Sequence, residues 1–543
     1  MKLFHPIRHS LPAAVCLASL LPCLAQAEER LGEVDFPISC SAEAQKQFNR
    51  GVALLHSFAY PETVKAFSEL ADKEPDCAMA YWGVAISQRP NPLVSPFPDE
   101  NLRDGWRAIQ RARAAAQKTE RETAWIEALA PFFEGYETTA QGQRTARYEA
   151  AMARLVARYP EDVEASIFHA LALNEAADPT DRTYAKQLQA AALLEKLESK
   201  YPNHPGIPHY IIHSYDYPAL AIRGVIAATR CAEIAASAPH ALHMPSHIFS
   251  TIGMWHEAIQ SDLAADRLVM RYSEGDDPSD PHQVRNPGRY HTFDFLINAY
   301  LQLGEDRRAK AILDGRNTYG DSEFPAYFRY TGHTAFAAIP VRYAFERSAW
   351  SEAATLAVAR TIWPQAEAIS WFGRSVGAAR TGDLDRAKQA ADHLRILREK
   401  LAAAGDAYWA GQVTIQEKAA AAWIALRERR RDDAIASMRE AADLEDRSGK
   451  HVAMENRLSP MREMLGELLL EANDAAAALK EFEASLRDYP NRYRSFAGAA
   501  RAAERSLRPT EAKTYYQKLV ALAADGDGSR PDLVDARRYL AQH

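Results

Sequence analysis

The feature that most constrains this chain is a small–large–proline spacing that recurs along it. Between Pro460 and Pro490 the text PMREMLGELLLEANDAAAALKEFEASLRDYP sets out Leu465-Gly466, Leu469, Ala478, Phe482 and Pro490 in order. The same order opens the chain in FNRGVALLHSFAYPETVKAFSELADKEP, as Gly51, Leu54, Phe67 and Pro75, and Tyr81-Trp82-Gly83 begins another copy. Small residues let two helices approach, a large one fills the gap between them, and proline ends the second helix. Such a unit cannot bury its apolar face alone, so it must stack on copies of itself.

Degenerate copies follow through WIEALAPFFEGYE, YEAAMARLVARYPED, ALLEKLESKYPN, GMWHEAIQSDLAADRL, FDFLINAYLQLGEDRRAKAIL and ARTGDLDRAKQAADHL. The spacing is that of the tetratricopeptide consensus, with a period of about 34 residues. It predicts an all-α, right-handed superhelical solenoid of roughly seven to nine antiparallel helix pairs and no strand. The segments CSAEAQKQFNRGVALLHSF, DCAMAYWGVAIS, HALHMPSHIF, PMREMLGELLLE and PNRYRSFAGAARAAE together resemble a family of exported bacterial tetratricopeptide-repeat proteins. The resemblance implies the helical-repeat fold and an extracytoplasmic location, and it places two cysteines, Cys40 and Cys77, where that family tends to have them. It implies little about activity, because the family's function is unsettled.

The first residues fit that address. Lys2 and Arg8 precede an apolar run and then Ala25-Gln26-Ala27, which reads as a signal peptide over 1–27 cut after Ala27. Cys23 follows Pro22, a poor context for a lipoprotein anchor. Removing the leader lowers the 65 basic residues to 63 against 72 acidic ones, a net of −9, which excludes nucleic acid as a partner. No later stretch is long enough to span a membrane, so the mature protein is expected to be periplasmic or secreted. In an oxidising compartment Cys40 and Cys77 can pair and staple the exposed end of the solenoid, leaving Cys231 as a buried thiol. Residues 28–272 read as an N-terminal array, 273–289 as a polar linker and 290–543 as a C-terminal array. The tryptophans recur at helix-pair junctions, where they read as packing.

Histidines are unevenly spread: seven of 17 fall between His204 and His256. His209, His213 and Asp216 share one helix face. His243 and His247 form a second i, i+4 pair, with His240 one turn earlier. The two pairs are 34 residues apart, one repeat, so they should meet across adjacent helices on the concave surface. Pro245 tempers this, since HALHMP reads equally as an extended lead-in to a helix starting near Pro245. His56, His291 and Asp294 are further ligand candidates, and His333 is weaker.

Three readings of the cluster compete. One is a transition-metal site for zinc, copper, nickel or iron, with Asp216 ligating or orienting a ligand. The second is a polar patch for a peptide or small anion, and the third a satisfied structural network. The sequence contains no H-E-x-x-H, nucleophile elbow, phosphate loop or C-x-x-C. The favoured expectation is therefore a binding or scaffold protein that holds a protein, peptide or transition metal in its groove. A metal-dependent hydrolase or redox enzyme using the same histidines is the alternative.

Overall fold

The computed structural model describes residues 29–94, 96–272, 288–315, 329–359, 361–449 and 457–543. Within them the chain forms twenty-six α-helices and one short 3-10 helix, and the β structure is limited to an isolated bridge between Cys77 and Gln117. The expected leader and residues 273–287 of the expected linker lie outside the described residues. The last two linker positions, 288 and 289, open the helix Gly288–Gln302.

The repeat geometry follows from glycine–phenylalanine contacts. Phe67, on the helix Tyr60–Lys73, wedges between Gly51 of the preceding helix Ala42–His56 and Gly83 of the following helix Ala78–Ser87. A Cβ on Gly51 would lie 2.8 Å from the Phe67 ring, and one on Gly83 2.2 Å. Near the other end Phe482 sits between Gly466 and Gly498 in the same way, at 2.9 and 2.2 Å. Both rings are fully buried. The identical arrangement, with the same sequence offsets, identifies both as tetratricopeptide-type pairs. Side-chain N-caps from Ser41, Asp162, Asp383, Asp406 and Asp474, and a Thr119–Glu122 capping box, set where several helices start.

The helices outnumber the seven to nine pairs expected. Ala407–Arg427 and Arg431–Arg447, for example, pack through Ala419, Ala420, Ala422, Ala434 and Ala441, all fully buried. Alanine interfaces bring helices close while leaving little large-residue periodicity to read.

One apolar cluster runs from Leu31 to Tyr343 and a second from Ala337 to Tyr539, so the core divides within the helix Arg329–Glu346. The winding brings late helices back onto early ones. Trp255 donates to the Asn491 carbonyl at 2.7 Å, and the Gly449 amide donates to the Pro179 carbonyl at 3.0 Å. Before the first helix, an extended segment buries Phe36 against Phe48, Trp82 and Trp125, which makes these tryptophans packing residues. Cys40 and Cys77 form a disulfide, and Cys231 is a buried free thiol. No helix among the described residues is long and apolar enough to cross a membrane.

Candidate metal centre

The helix Gly206–Tyr215 is buried along its whole length and carries His209 and His213 one turn apart. The next segment is helical from Pro239 through Thr251. Met244, between the helices Pro239–His243 and Pro245–Thr251, keeps α-helical backbone at φ −51° and ψ −37°. The extended lead-in to Pro245 therefore does not occur: proline is tolerated in a helix's first turn, where its missing N–H costs little. His243 and His247 keep their i, i+4 relation, with ring centroids 5.0 Å apart. The helix Gly288–Gln302 adds His291.

These residues form two groups of three imidazoles, His209/His213/His240 and His243/His247/His291, in each of which the ligand atoms lie within 4.8 Å of one another. Nε2 of His209 faces Nε2 of His213 at 3.1 Å, and Nε2 of His247 faces Nε2 of His291 at 3.4 Å. The grouping differs from equivalent positions facing each other one repeat apart. Each group is instead an i, i+4 pair completed by one histidine from a later helix, Pro239–His243 for the first group and Gly288–Gln302 for the second. The groups adjoin through His213–His247 and His240–His243, both with centroids 6.1 Å apart.

Several rings are fixed from behind. The Nδ1–H of His209 donates to the His56 carbonyl at 2.5 Å. Nδ1 of His247 meets the Asp216 carboxylate at 2.9 Å, and Nδ1 of His243 meets Asp262 at 2.6 Å. Holding Nδ1 this way leaves Nε2 as the lone-pair nitrogen of a neutral ring, the tautomer that ligates metals. Asp216, which caps the helix Gly206–Tyr215, thus orients a candidate ligand from outside the group. Nε2 of His240 and of His243 are buried without a hydrogen-bond partner, a condition that costs free energy unless something ligates them.

Burial dominates the electrostatics. It pushes His209 and His243 down to about 3, lowers His240, and raises the Asp262 carboxyl well above the carboxylate range. The site therefore offers uncharged imidazoles at neutral pH. Phe58, held at φ 51° just after the first helix, stacks on His213 and His240 and meets His209 edge-on. Phe295 packs on all three rings of the second group.

Other candidates lie elsewhere. Nε2–H of His56 and of His204 each donate to Glu164 at 2.9 Å, while Nδ1 of His56 accepts from the Tyr210 hydroxyl and Nδ1 of His204 from the Gly206 amide. Burial raises the Glu164 carboxyl, but the two histidines outweigh it and hold it at about 2. With every ring nitrogen engaged, this is a closed hydrogen-bond network, and His56 serves the centre through its carbonyl. Asp294 is not a ligand candidate in the fold, because it grips Arg342 through two bonds of 2.8 and 3.0 Å. His333 is buried on the helix Arg329–Glu346 and joins neither group. Asp262 and Phe58 were not singled out in the sequence: a lone aspartate on an amphipathic helix and a phenylalanine in a turn carry no pattern of their own.

The fold and the site define an all-helical repeat protein with an inward-facing, imidazole-rich centre. No family model and no curated protein matches the chain. Solved structures to which it is similar include the APC/C hetero-tetramer Cut9–Hcn1, at 12% identity and TM-score 0.28, covering 92% of this chain and 89% of that one. Yeast Tom70 is 10% identical at TM-score 0.34, over 92% of this chain and 96% of that one. A human IFIT1 dimer with m7Gppp-AAAA is 10% identical at TM-score 0.36, over 89% and 91%.

Proposed function

We propose that this protein is an exported helical-repeat scaffold that binds a transition metal through the histidines lining its interior. The observation that carries the reading is the orientation of the rings. His209 and His247 are each fixed at Nδ1 by an oxygen acceptor, Nδ1 of His243 meets the Asp262 carboxyl, and all three rings belong to groups whose ligand atoms are within 4.8 Å of one another. A purely structural network would engage both nitrogens of each ring, as the His56–Glu164–His204 network does, whereas Nε2 of His240 and Nε2 of His243 are buried without a hydrogen-bond partner. An anion site would want protonated rings, whereas burial lowers His209 and His243 to about 3. Neutral imidazoles suit copper, zinc, nickel and iron. The Cys40–Cys77 disulfide supports an oxidising compartment.

The test is metal analysis of protein purified without chelator, with thermal melts before and after adding copper(II) or zinc(II). Bound metal that is lost in His213→Ala and His247→Ala supports the reading. A metal-free protein whose melting temperature neither ion moves would overturn it.

A further inference from the structure

We propose that the six histidines form a two-ion centre, one ion per group, which prefers copper and takes one small bridging ligand of two or three atoms from the adjoining cavity. The inference rests on the metal-binding reading above and goes beyond it in number of ions, choice of metal and class of ligand.

The count follows from the geometry. Each group supplies three nitrogens near enough to share an ion at ligand distances of about 2.0–2.1 Å. Six imidazoles are more than one ion of this kind takes, since three protein ligands with an open position is the usual reactive arrangement. Each group also contains its own buried, unpartnered Nε2, His240 in the first and His243 in the second. A single ion would satisfy one of these and strand the other. The groups adjoin at two edges with ring centroids 6.1 Å apart, so two ions held in them would be neighbours.

The choice of metal follows from the ligand set. Neither Asp216 nor Asp262 belongs to a ligand group; both hold a histidine from behind. An all-imidazole shell with no carboxylate suits copper and zinc over magnesium, calcium or manganese, and copper stands highest in the affinity order for divalent ions.

The ligand follows from the cavity. A space of about 130 Å³ borders five of the six rings, His213, His240, His243, His247 and His291. Phe58, Ala265 and Val269 are among its walls, and Arg289 lines it too. It therefore reaches both groups at once, as a bridging ligand must, and its walls are mainly apolar.

The experiment loads the full-length mature protein with copper(II) after chelator treatment and measures copper per chain, the integrated electron paramagnetic resonance signal, and the change on adding azide as a bridging probe. Two coppers per chain, a signal well below two spins per chain and an azide-dependent charge-transfer band are expected. His240→Ala and His291→Ala should each retain one copper with a full one-spin signal, and melts of the metal-free variants confirm that they fold. One copper per chain in the wild type, or two giving two independent spins, overturns the two-ion centre while leaving metal binding intact. No copper overturns both proposals. Two coupled coppers that ignore azide overturn the bridging ligand.

Discussion

Nδ1 of His243 lies 2.6 Å from the carboxyl group of Asp262, nineteen residues further along the chain and on another helix, Trp255–Tyr272. Asp262 is fully buried. Outer partners of this kind set ring orientation and basicity, and their loss typically lowers metal affinity by about 10–100-fold. Asp262→Ala should show a loss of that size in a competitive metal titration, and Asp262→Asn a smaller one because its amide oxygen still accepts from Nδ1–H. Unchanged affinity in both variants would contradict the role assigned to Asp262.

The glycine–phenylalanine wedges make a separate prediction about the scaffold. A Cβ on Gly498 would lie 2.2 Å from the Phe482 ring, and overpacking of this kind costs about 1–3 kcal/mol. Gly498→Ala should lower the urea midpoint accordingly and leave the metal content per folded chain unchanged. The double variant Gly498→Ala with Phe482→Leu should recover part of the loss by making room.

Arg492 is buried between two carboxylates, bonded to Glu346 and, at 2.9 and 3.0 Å, to Glu463. Removing it alone would take away the direct arginine partner of both buried acids, leaving Glu463 its Ser495 hydrogen bond, and loss of one partner of a buried pair costs about 3–5 kcal/mol. Arg492→Met should destabilise the chain by that order in denaturant titration, and the triple variant with Glu346→Gln and Glu463→Gln should regain most of it.

Acid should weaken the metal-free protein in a defined window. His209 and His243 are held by burial at about 3, against an ordinary value of 6.5. As pH falls below 6.5 the unfolded chain takes up protons that the folded chain refuses, so stability is full above that value and falls toward the folded values. Denaturant midpoints of the metal-free protein between pH 7.5 and 5 should decline, and His209→Gln should flatten the slope. A level profile in the wild type would contradict the burial of neutral rings.

The scaffold was legible where its contacts use contrasting sizes. Gly51, Phe67 and Gly83, and Gly466, Phe482 and Gly498, announce themselves because a ring needs two glycines to seat it. The helices Ala407–Arg427 and Arg431–Arg447 are not among the copies traced, because the many buried alanines beside Trp423 and Met438 blur the small–large spacing. At the site, His209, His213, His243 and His247 stood out through helical spacing and a one-repeat offset. The offset brings His213 beside His247, with ring centroids 6.1 Å apart, while the third member of each group, His240 or His291, has no repeat-period relation to its i, i+4 pair. His291 was ranked below the others since no repeat period links it to His247; the helix Gly288–Gln302 brings it in from beyond the polar segment. Asp262 had no sequence signal at all, because a residue that orients a ligand from another helix shares neither spacing nor motif with it.

The central claim, that imidazole nitrogens alone hold a metal here, is tested most directly by X-ray absorption at the copper edge of the copper-loaded protein. A nearest shell of nitrogen at about 2.0 Å, with the outer-shell scattering of imidazole rings, is the expected result. A nearest shell containing sulfur or dominated by protein carboxylate oxygen, or a spectrum unchanged in His213→Ala and His247→Ala, would contradict it.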